Sequence, residues 1–348
     1  MSEVHHVPDP SREGNPVLEV TDLTKVFTVR GRGGTKQLKA LDGVSLRMYK
    51  GETLGLVGES GCGKSTLART LMMLERPNGG SVRFEGVDPF SLKGSELLKW
   101  RRRVQMVFQD PFASLNSRMS AGEIVSEPWH SHKDLYRTSR DREARVRELL
   151  HLVGMRPSDA RRYPQEFSGG QRQRLGIARA LALNPDIIIC DEPVSALDLS
   201  VQAQVLNLLN DLQQQLEVSY LFISHDLSVV RHVADQVVVM YLGRIVERGT
   251  TEGVFARPVH PYSAALMSAA PALDHSQRRE RILLEGEIPS PLQPPSGCRF
   301  RTRCWKATEV CAEQHPPLAH DPAESGHEAE CYHPLEHLAA AGPVAVTR

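Results

Sequence analysis

The chain has 348 residues, 40% of them hydrophobic, and its 42 Lys and Arg balance 42 Asp and Glu, so the formal charge at pH 7 is zero with histidine neutral. That balance removes the electrostatic case for nucleic acid or anionic lipid as the main partner, and no window nears the ~18 consecutive apolar residues of a membrane span. The length suits one large domain plus appendages, and the chain reads as cytosolic, where cysteines stay reduced.

Met1 to Pro16 is polar and lacks the apolar heart of a signal peptide, so a disordered N-terminus is expected over 1–16. Strands are predicted near Leu18–Thr28, Leu41–Met48 and Thr53–Val57. Directly after the third comes Gly58-Glu59-Ser60-Gly61-Cys62-Gly63-Lys64-Ser65, then Thr66 and a helix to Leu74 that Pro77-Asn78-Gly79-Gly80 stops. A glycine-rich turn between strand and helix aims successive backbone N–H groups, and the positive helix end, at one point. Lys64 adds a charge where β- and γ-phosphates lie, and Ser65 offers a hydroxyl to Mg2+. The loop therefore predicts binding of a nucleoside triphosphate.

Val104–Phe108 reads as another buried strand, followed by a polar, helix-rich insert. Within it Ser139–Val153 is the clearest helix: Thr138 and Asp141 form a capping pair, Val146, Leu149, Leu150 and Val153 share a face, and Gly154 ends the run. Phe167-Ser168-Gly169-Gly170-Gln171 opens a helical run over Arg172–Leu183, ended by Asn184-Pro185. Two glycines and a serine at a helix start make a second anion-binding terminus. One nucleotide does not need two such termini from one chain, whereas a dimer in which each subunit caps the other's nucleotide uses both.

Asp186–Asp191 is apolar without alternation, as in a central parallel strand covered on both faces. A helix over Val201–Leu216 and strands at Tyr220–Ile223 and Val237–Tyr241 complete an alternation that predicts a parallel α/β sheet. The Gly58 loop, the pair Asp191-Glu192 and His225 each fall at the carboxyl end of a predicted strand, the edge where open α/β sheets bind ligands. Asp191 suits outer-shell magnesium binding. Glu192 points differently and is placed to orient or deprotonate an attacking water. His225 alone would read as structural and gains a functional reading only from these neighbours.

Beyond Phe255 the composition shifts to Pro, His and Cys, which predicts a separate C-terminal module over 258–337 and a frayed tail over 338–348. Cys298, Cys304, Cys311 and Cys331 sit there with five, six and nineteen intervening residues, without the paired C-x2-C of a zinc ribbon. By spacing alone they suit zinc, an iron–sulfur cluster or inert thiols. Cys190 reads as a small buried strand residue and Cys62 as the filler of a variable loop position.

In their order these motifs resemble those of ATP-binding cassette (ABC) ATPases. Gly58–Ser65 is similar to Walker A, Gln109 in Val107-Phe108-Gln109-Asp110 to the Q-loop, and Phe167–Gln171 to the signature sequence, with Phe for the usual Leu. Ile187–Asp191 with Glu192 resembles Walker B, Ser195-Ala196-Leu197-Asp198 the D-loop and His225 the switch histidine, while Phe27 stands where an aromatic stacks on adenine. The resemblance spans Leu18–Arg257. It implies a P-loop NTPase with a RecA-like α/β core and an antiparallel β-subdomain, forming a nucleotide-binding domain over 17–257. A helical subdomain at about 109–167 would face membrane partners. Two subunits would close head to tail over two ATP molecules. Each site would take Phe27, Gly58, Glu59, Ser60, Gly61, Cys62, Gly63, Lys64, Ser65, Thr66 and Gln109 from one chain. Ser65, Gln109 and Asp191 would meet Mg2+, and Lys64, Glu192 and His225 would be catalytic. The other chain would supply Ser168, Gly169, Gly170 and Gln171, with Asp198 in the D-loop.

His260-Pro261-Tyr262-Ser263-Ala264-Ala265-Leu266, Gly286–Pro291 running into Pro294–Cys298, and Phe108–Asn116 resemble dipeptide and oligopeptide importer ATPases of the F type; Ser117 stands where those commonly have proline. This implies peptide import, with nickel or glutathione as alternative cargo. It also implies two transmembrane permeases, an external solute-binding protein, and a second ATPase, a paralogous D-type subunit, on the cytoplasmic face of the inner membrane. A [4Fe-4S] cluster on the four tail cysteines is implied as well, zinc being the alternative. A soluble cassette ATPase acting on ribosomes or DNA usually carries two cassettes or long coiled-coil insertions, which this chain lacks, and no nucleic-acid partner is expected.

Overall fold

The computed structural model of the protein describes residues 14–31, 34–269, 281–321 and 326–335. The expected disordered start, up to residue 13, and the tail over 338–348 lie outside them. The strands are β1 (Leu18–Gly31), β2 (Gly34–Met48), β3 (Thr53–Val57), β4 (Gly79–Phe84), β5 (Val104–Val107) and β6 (Ile187–Asp191). They continue as β7 (Ser219–Ile223), β8 (Gln236–Tyr241), β9 (Arg244–Thr250), β10 (Leu318–His320) and β11 (Glu328–Glu330). The helices are α1 (Lys64–Leu71), α2 (Gly94–Arg103), α3 (Pro111–Ser114), α4 (Ala121–Ser126), α5 (Ser139–Leu152) and α6 (Gly169–Leu181). After them come α7 (Leu199–Leu216), α8 (Leu227–Val233), α9 (Thr251–Ala256), α10 (Pro261–Ser268) and α11 (Val310–Glu313).

The main sheet runs β10-β11-β9-β8-β3-β7-β6-β5, and a smaller antiparallel sheet runs β2-β1-β4. From β8 to β5 the neighbours are parallel, so β3, β5, β6 and β7 end at one edge. Both faces of the sheet are covered, which is why these strands are apolar throughout. In β6, Ile187 and Ile189 enter the core shared with the smaller sheet and α1, while Ile188 and Cys190 enter the core shared with α4 to α7. The isoleucine run is thus a period-two strand read from two sides.

Helix limits follow their caps. The Thr138 side chain accepts the Asp141 N–H and opens α5, as expected, and Val146, Leu149, Leu150 and Val153 are buried. Helix α6 begins at Gly169, three residues before the expected start, because Ser168 caps it. Helix α7 begins at Leu199, since Asp198 accepts the Val201 N–H. Helix α1 stops at Leu71 instead of Leu74, where the Met72 N–H returns to Ala68 and Met73 takes φ 56°.

The composition change beyond Phe255 is no break in the sheet. Strand β11 pairs antiparallel with β9, and β10 with β11, so the C-terminal segment extends the core sheet at its far edge. Within the segment the Cys298 N–H donates to the Cys311 carbonyl at 2.8 Å, and Phe300 packs against Tyr241 and Tyr262.

Candidate nucleotide site

The loop from Gly58 to Gly63 leaves β3 through backbone angles that favour glycine: φ is 152° at Gly58, 76° at Gly61 and 114° at Gly63. A Cβ at Gly58 would lie 2.2 Å from the Met240 carbonyl oxygen and one at Gly63 2.5 Å from that of Ala40, so glycine is also a steric requirement. Gly63 precedes α1 without a side-chain cap. The first-turn N–H groups of α1 thus point at the loop's concavity, together with the helix dipole. Lys64 is buried; its Nζ donates to the carbonyls of Gly58 at 2.6 Å and Glu59 at 3.0 Å, which holds the ammonium over the loop.

At the same edge β6 delivers Asp191 and Glu192. Asp191 is hydrogen-bonded by Ser65, and burial, then the charge of Glu192, push its carboxyl above the usual range. Two adjacent carboxylates in a partly dry site call for a cation, and the oxygen donors Ser65 and Asp191 fit Mg2+. Glu192 has the left-handed angle φ 48°. Its carboxylate accepts from Gln109 Nε2 at 2.7 Å and lies 3.0 Å from His225 Nδ1. Residues that follow β5, β6 and β7 therefore converge on one carboxylate. A cleft of about 570 Å3 is lined by Phe27, Lys64, Ser65, Gln109, Glu192 and His225 among others. Phe27 projects from β1 opposite Leu38 of β2, with Lys25 Nζ 4.8 Å from its ring centre.

Ser168 to Gln171 do not line this cleft. They form a capping box at the start of α6: Ser168 Oγ accepts the Gln171 N–H at 3.3 Å, and the Ser168 N–H reaches Gln171 Oε1 at 3.0 Å. Gly170 lies so close to α7 that a Cβ would come within 2.3 Å of Val201 Cγ1. Ser168 and Asp198 are both exposed, and Leu199 beside Asp198 is 83% exposed.

The six cysteines are free. Cys190 is buried, as expected, and so is Cys62; burial raises both thiols. In the C-terminal segment, burial first, and then the neighbouring tail cysteines, raise the thiols of Cys298 and Cys304 and push Cys331 up to about 12. The His333 N–H points at Cys331 Sγ at 3.3 Å. Ionising one of these thiols would disfavour ionising its neighbours, yet among the described residues no group of three or more His, Cys, Asp or Glu side chains is set to hold a metal ion. The expected iron–sulfur ligand set is thus not formed as a closed constellation.

Sequence reasoning missed the groups behind the loop. Tyr262 Oη accepts the Glu59 N–H at 3.0 Å, and Arg303 binds the Glu59 carboxylate. Gly243 donates to the Cys62 carbonyl at 2.7 Å, and Pro291 of the tail lines the cleft. Their one signal was an acid in the second position of a phosphate loop, beside a tail rich in arginine.

The ABC transporter family profile matches residues 41–195, and the profile described as oligopeptide/dipeptide transporter, C-terminal region, matches residues 246–311. The dipeptide transport ATP-binding protein DppF of Haemophilus influenzae is 50% identical over 324 residues, covering 92% of this chain and 98% of that protein. The oligopeptide transport ATP-binding protein AppF of Bacillus subtilis is 52% identical over 322 residues, 91% of this chain and 97% of its own. Among solved structures, a dimeric ATP-binding cassette in a post-hydrolysis state with ADP and phosphate superposes with a TM-score of 0.60 at 29% identity, over 67% of this chain and 98% of that one. A cassette from Clostridium perfringens that is part of an ABC transporter complex gives a TM-score of 0.61 at 27% identity, over 70% and 92%. The chain belongs to the ABC transporter ATPases, in the branch that carries the oligopeptide/dipeptide-transporter C-terminal region.

Proposed function

We propose that this chain is the ATP-hydrolysing subunit of a bacterial importer of di- and oligopeptides. As a member of its family it is an ATPase. The single observation that carries the catalytic reading is the convergence of Gln109 and His225 on Glu192, beside the Asp191–Ser65 pair and the glycine loop. Glu192 accepts the proton of the attacking water, and Gln109 and His225 fix its carboxylate for that task. Lys64 and the α1 N-terminus hold the phosphates. Ser65, Asp191 and Gln109 hold Mg2+, which when bound neutralises charge on the β- and γ-phosphates.

The remaining parts of the motor are assigned by the same reasoning. Ser168, Gly169, Gly170 and Gln171 serve the nucleotide of a second ATPase subunit, with Asp198 at the contact. In support, this terminus lies outside the chain's own cleft, and a structural relative is a dimer. A D-type paralogue is the proposed second subunit. One permease seats on a second cleft of about 760 Å3 between core and helical insert, bordered by Gln109, Phe108 and Arg179, and the other on the matching cleft of the second ATPase. No helix of the described residues is long and apolar enough to cross a membrane. Membrane attachment through permeases at the cytoplasmic face, fed by an external solute-binding protein, is the arrangement this reading requires. We divide the chain into a nucleotide-binding domain over 17–257 and a C-terminal domain over 258–337.

The peptide cargo rests on the relatives' names and the matched tail. Peptide-stimulated ATP hydrolysis by the complex reconstituted in vesicles tests it. Stimulation by nickel or glutathione, and not by peptide, would replace the cargo. For Cys298, Cys304, Cys311 and Cys331 we propose a [4Fe-4S] cluster, or failing that zinc, on the strength of four free thiols within mutual electrostatic reach. Anaerobically purified protein is expected to carry iron and absorb near ~400 nm. Protein with zinc alone, or with neither metal, removes the cluster.

A further inference from the structure

A phosphate loop works by holding its N–H donors in place before the nucleotide arrives, yet glycines at 58, 61 and 63 make this one loose by composition. Its inner side is held by the core: Gly243 donates to the Cys62 carbonyl and Lys64 to those of Gly58 and Glu59. Its outer side is held by the C-terminal segment. Arg303 Nη1 donates to Glu59 Oε2 at 2.8 Å and Nη2 to Oε1 at 3.0 Å, a two-pronged guanidinium–carboxylate pair across 244 residues. The Arg303 side chain is only 8% exposed. Next to it, Tyr262 Oη accepts the Glu59 N–H. Arg303 stands on the turn between Cys298 and Cys304, its amide bonded to the Phe300 carbonyl, and Phe300 packs on Tyr241 and Tyr262. The pair is therefore mounted on a packed aromatic base.

Glu59 is an acid in a loop built for a polyanion. Unpaired, its carboxylate would repel the triphosphate in a partly dry setting where charges act strongly. Paired, it becomes a handle. We propose that Arg303 is a positioning residue for ATP binding, acting through Glu59: it cancels the acid's charge and fixes the outer strand of the phosphate loop. The inference rests on the nucleotide reading above and makes the C-terminal segment a working part of the ATP site.

The test is the affinity of the full-length protein for a fluorescent ATP analogue, with KM and kcat of hydrolysis by its assembly with the partner ATPase read in parallel. R303A is expected to weaken binding and raise KM by about tenfold, with kcat within about twofold, because the lost interaction serves binding and the transition state alike. E59Q/R303A is expected to recover most of that affinity, since the uncancelled charge is gone. A purely structural arginine would show no such rescue. R303A binding as tightly as wild type overturns the inference, as does a double variant no better than R303A. If R303A does not fold, R303Q keeps N–H donors without the charge and is read by the same two criteria. Wild-type protein that binds no ATP overturns the nucleotide reading itself, whereas wild type that binds ATP no better than R303A sinks this inference alone.

Discussion

The carboxylate of Glu192 is where three chain segments meet, and it sits on a residue in the left-handed region, where a side chain other than glycine costs about 1–2 kcal/mol. That conformation separates its direction from that of Asp191: one acid faces Ser65, the other Gln109 and His225. Replacing Glu192 by Gln keeps the shape and removes the carboxylate proposed as the proton acceptor. Turnover is expected to fall by roughly 10²- to 10³-fold while ATP still binds, checked by phosphate release alongside nucleotide retention. Unchanged turnover would remove Glu192 as the base. At Gly58 the constraint is steric, so Gly58→Ala is expected to abolish measurable ATP binding by pushing the loop off Met240; retained affinity would contradict that geometry. These residues were legible because motif order and strand ends named them. Tyr262 and Arg303 were not, since nothing local in the sequence says that a side chain 203 or 244 positions away will reach back to Glu59.

Elements were legible where one periodicity or cap dominated, as in β6 and α5, and obscure where turn residues or polar letters masked them. Gly79-Gly80 read as a stop, yet they open β4, whose Val82 and Phe84 are buried while Arg83 is exposed. Strand β9 carries Glu247, an unpromising core residue that is 1% exposed because it accepts the amides of Val259 and His260 and pairs with His327. That network seats α10. His260 caps α10 by accepting the Tyr262 N–H at 3.0 Å on Nδ1, which requires a neutral ring, and full burial lowers its pKa to about 3. Between pH 3 and the ordinary 6.5 the unfolded chain carries this proton and the folded chain does not. The stability it provides is therefore whole above about pH 6.5 and declines as pH falls. From pH 7.5 to 5.5 the decline from this group is about 1.4 kcal/mol. His260→Asn keeps a capping acceptor without the titration, and urea unfolding at the two pH values should show a shallower pH slope for the variant by that amount. Equal slopes would contradict the buried neutral cap.

At the scale of the whole molecule, the sheet brings the glycine loop, Gln109, Asp191, Glu192 and His225 to one edge and leaves the Ser168 tip outside their cleft, where Gly169 approaches Leu197 and Gly170 approaches Val201. The α/β core was legible because buried parallel strands leave long apolar runs. The return of the C-terminal segment to β9 was not, since β10 and β11 are three residues each and carry mostly polar letters. The helix start at Ser168 does not line its own subunit's cleft, and in the proposed motor it serves the nucleotide of a neighbour. The most direct measurement is a structure of the Glu192→Gln protein with its partner ATPase and ATP. The Ser168 hydroxyl is expected at about 3 Å from the γ-phosphate of a nucleotide whose loop lysine belongs to the opposite subunit. Nucleotide bound at Lys64 with the Ser168 tip facing solvent in every copy would contradict it.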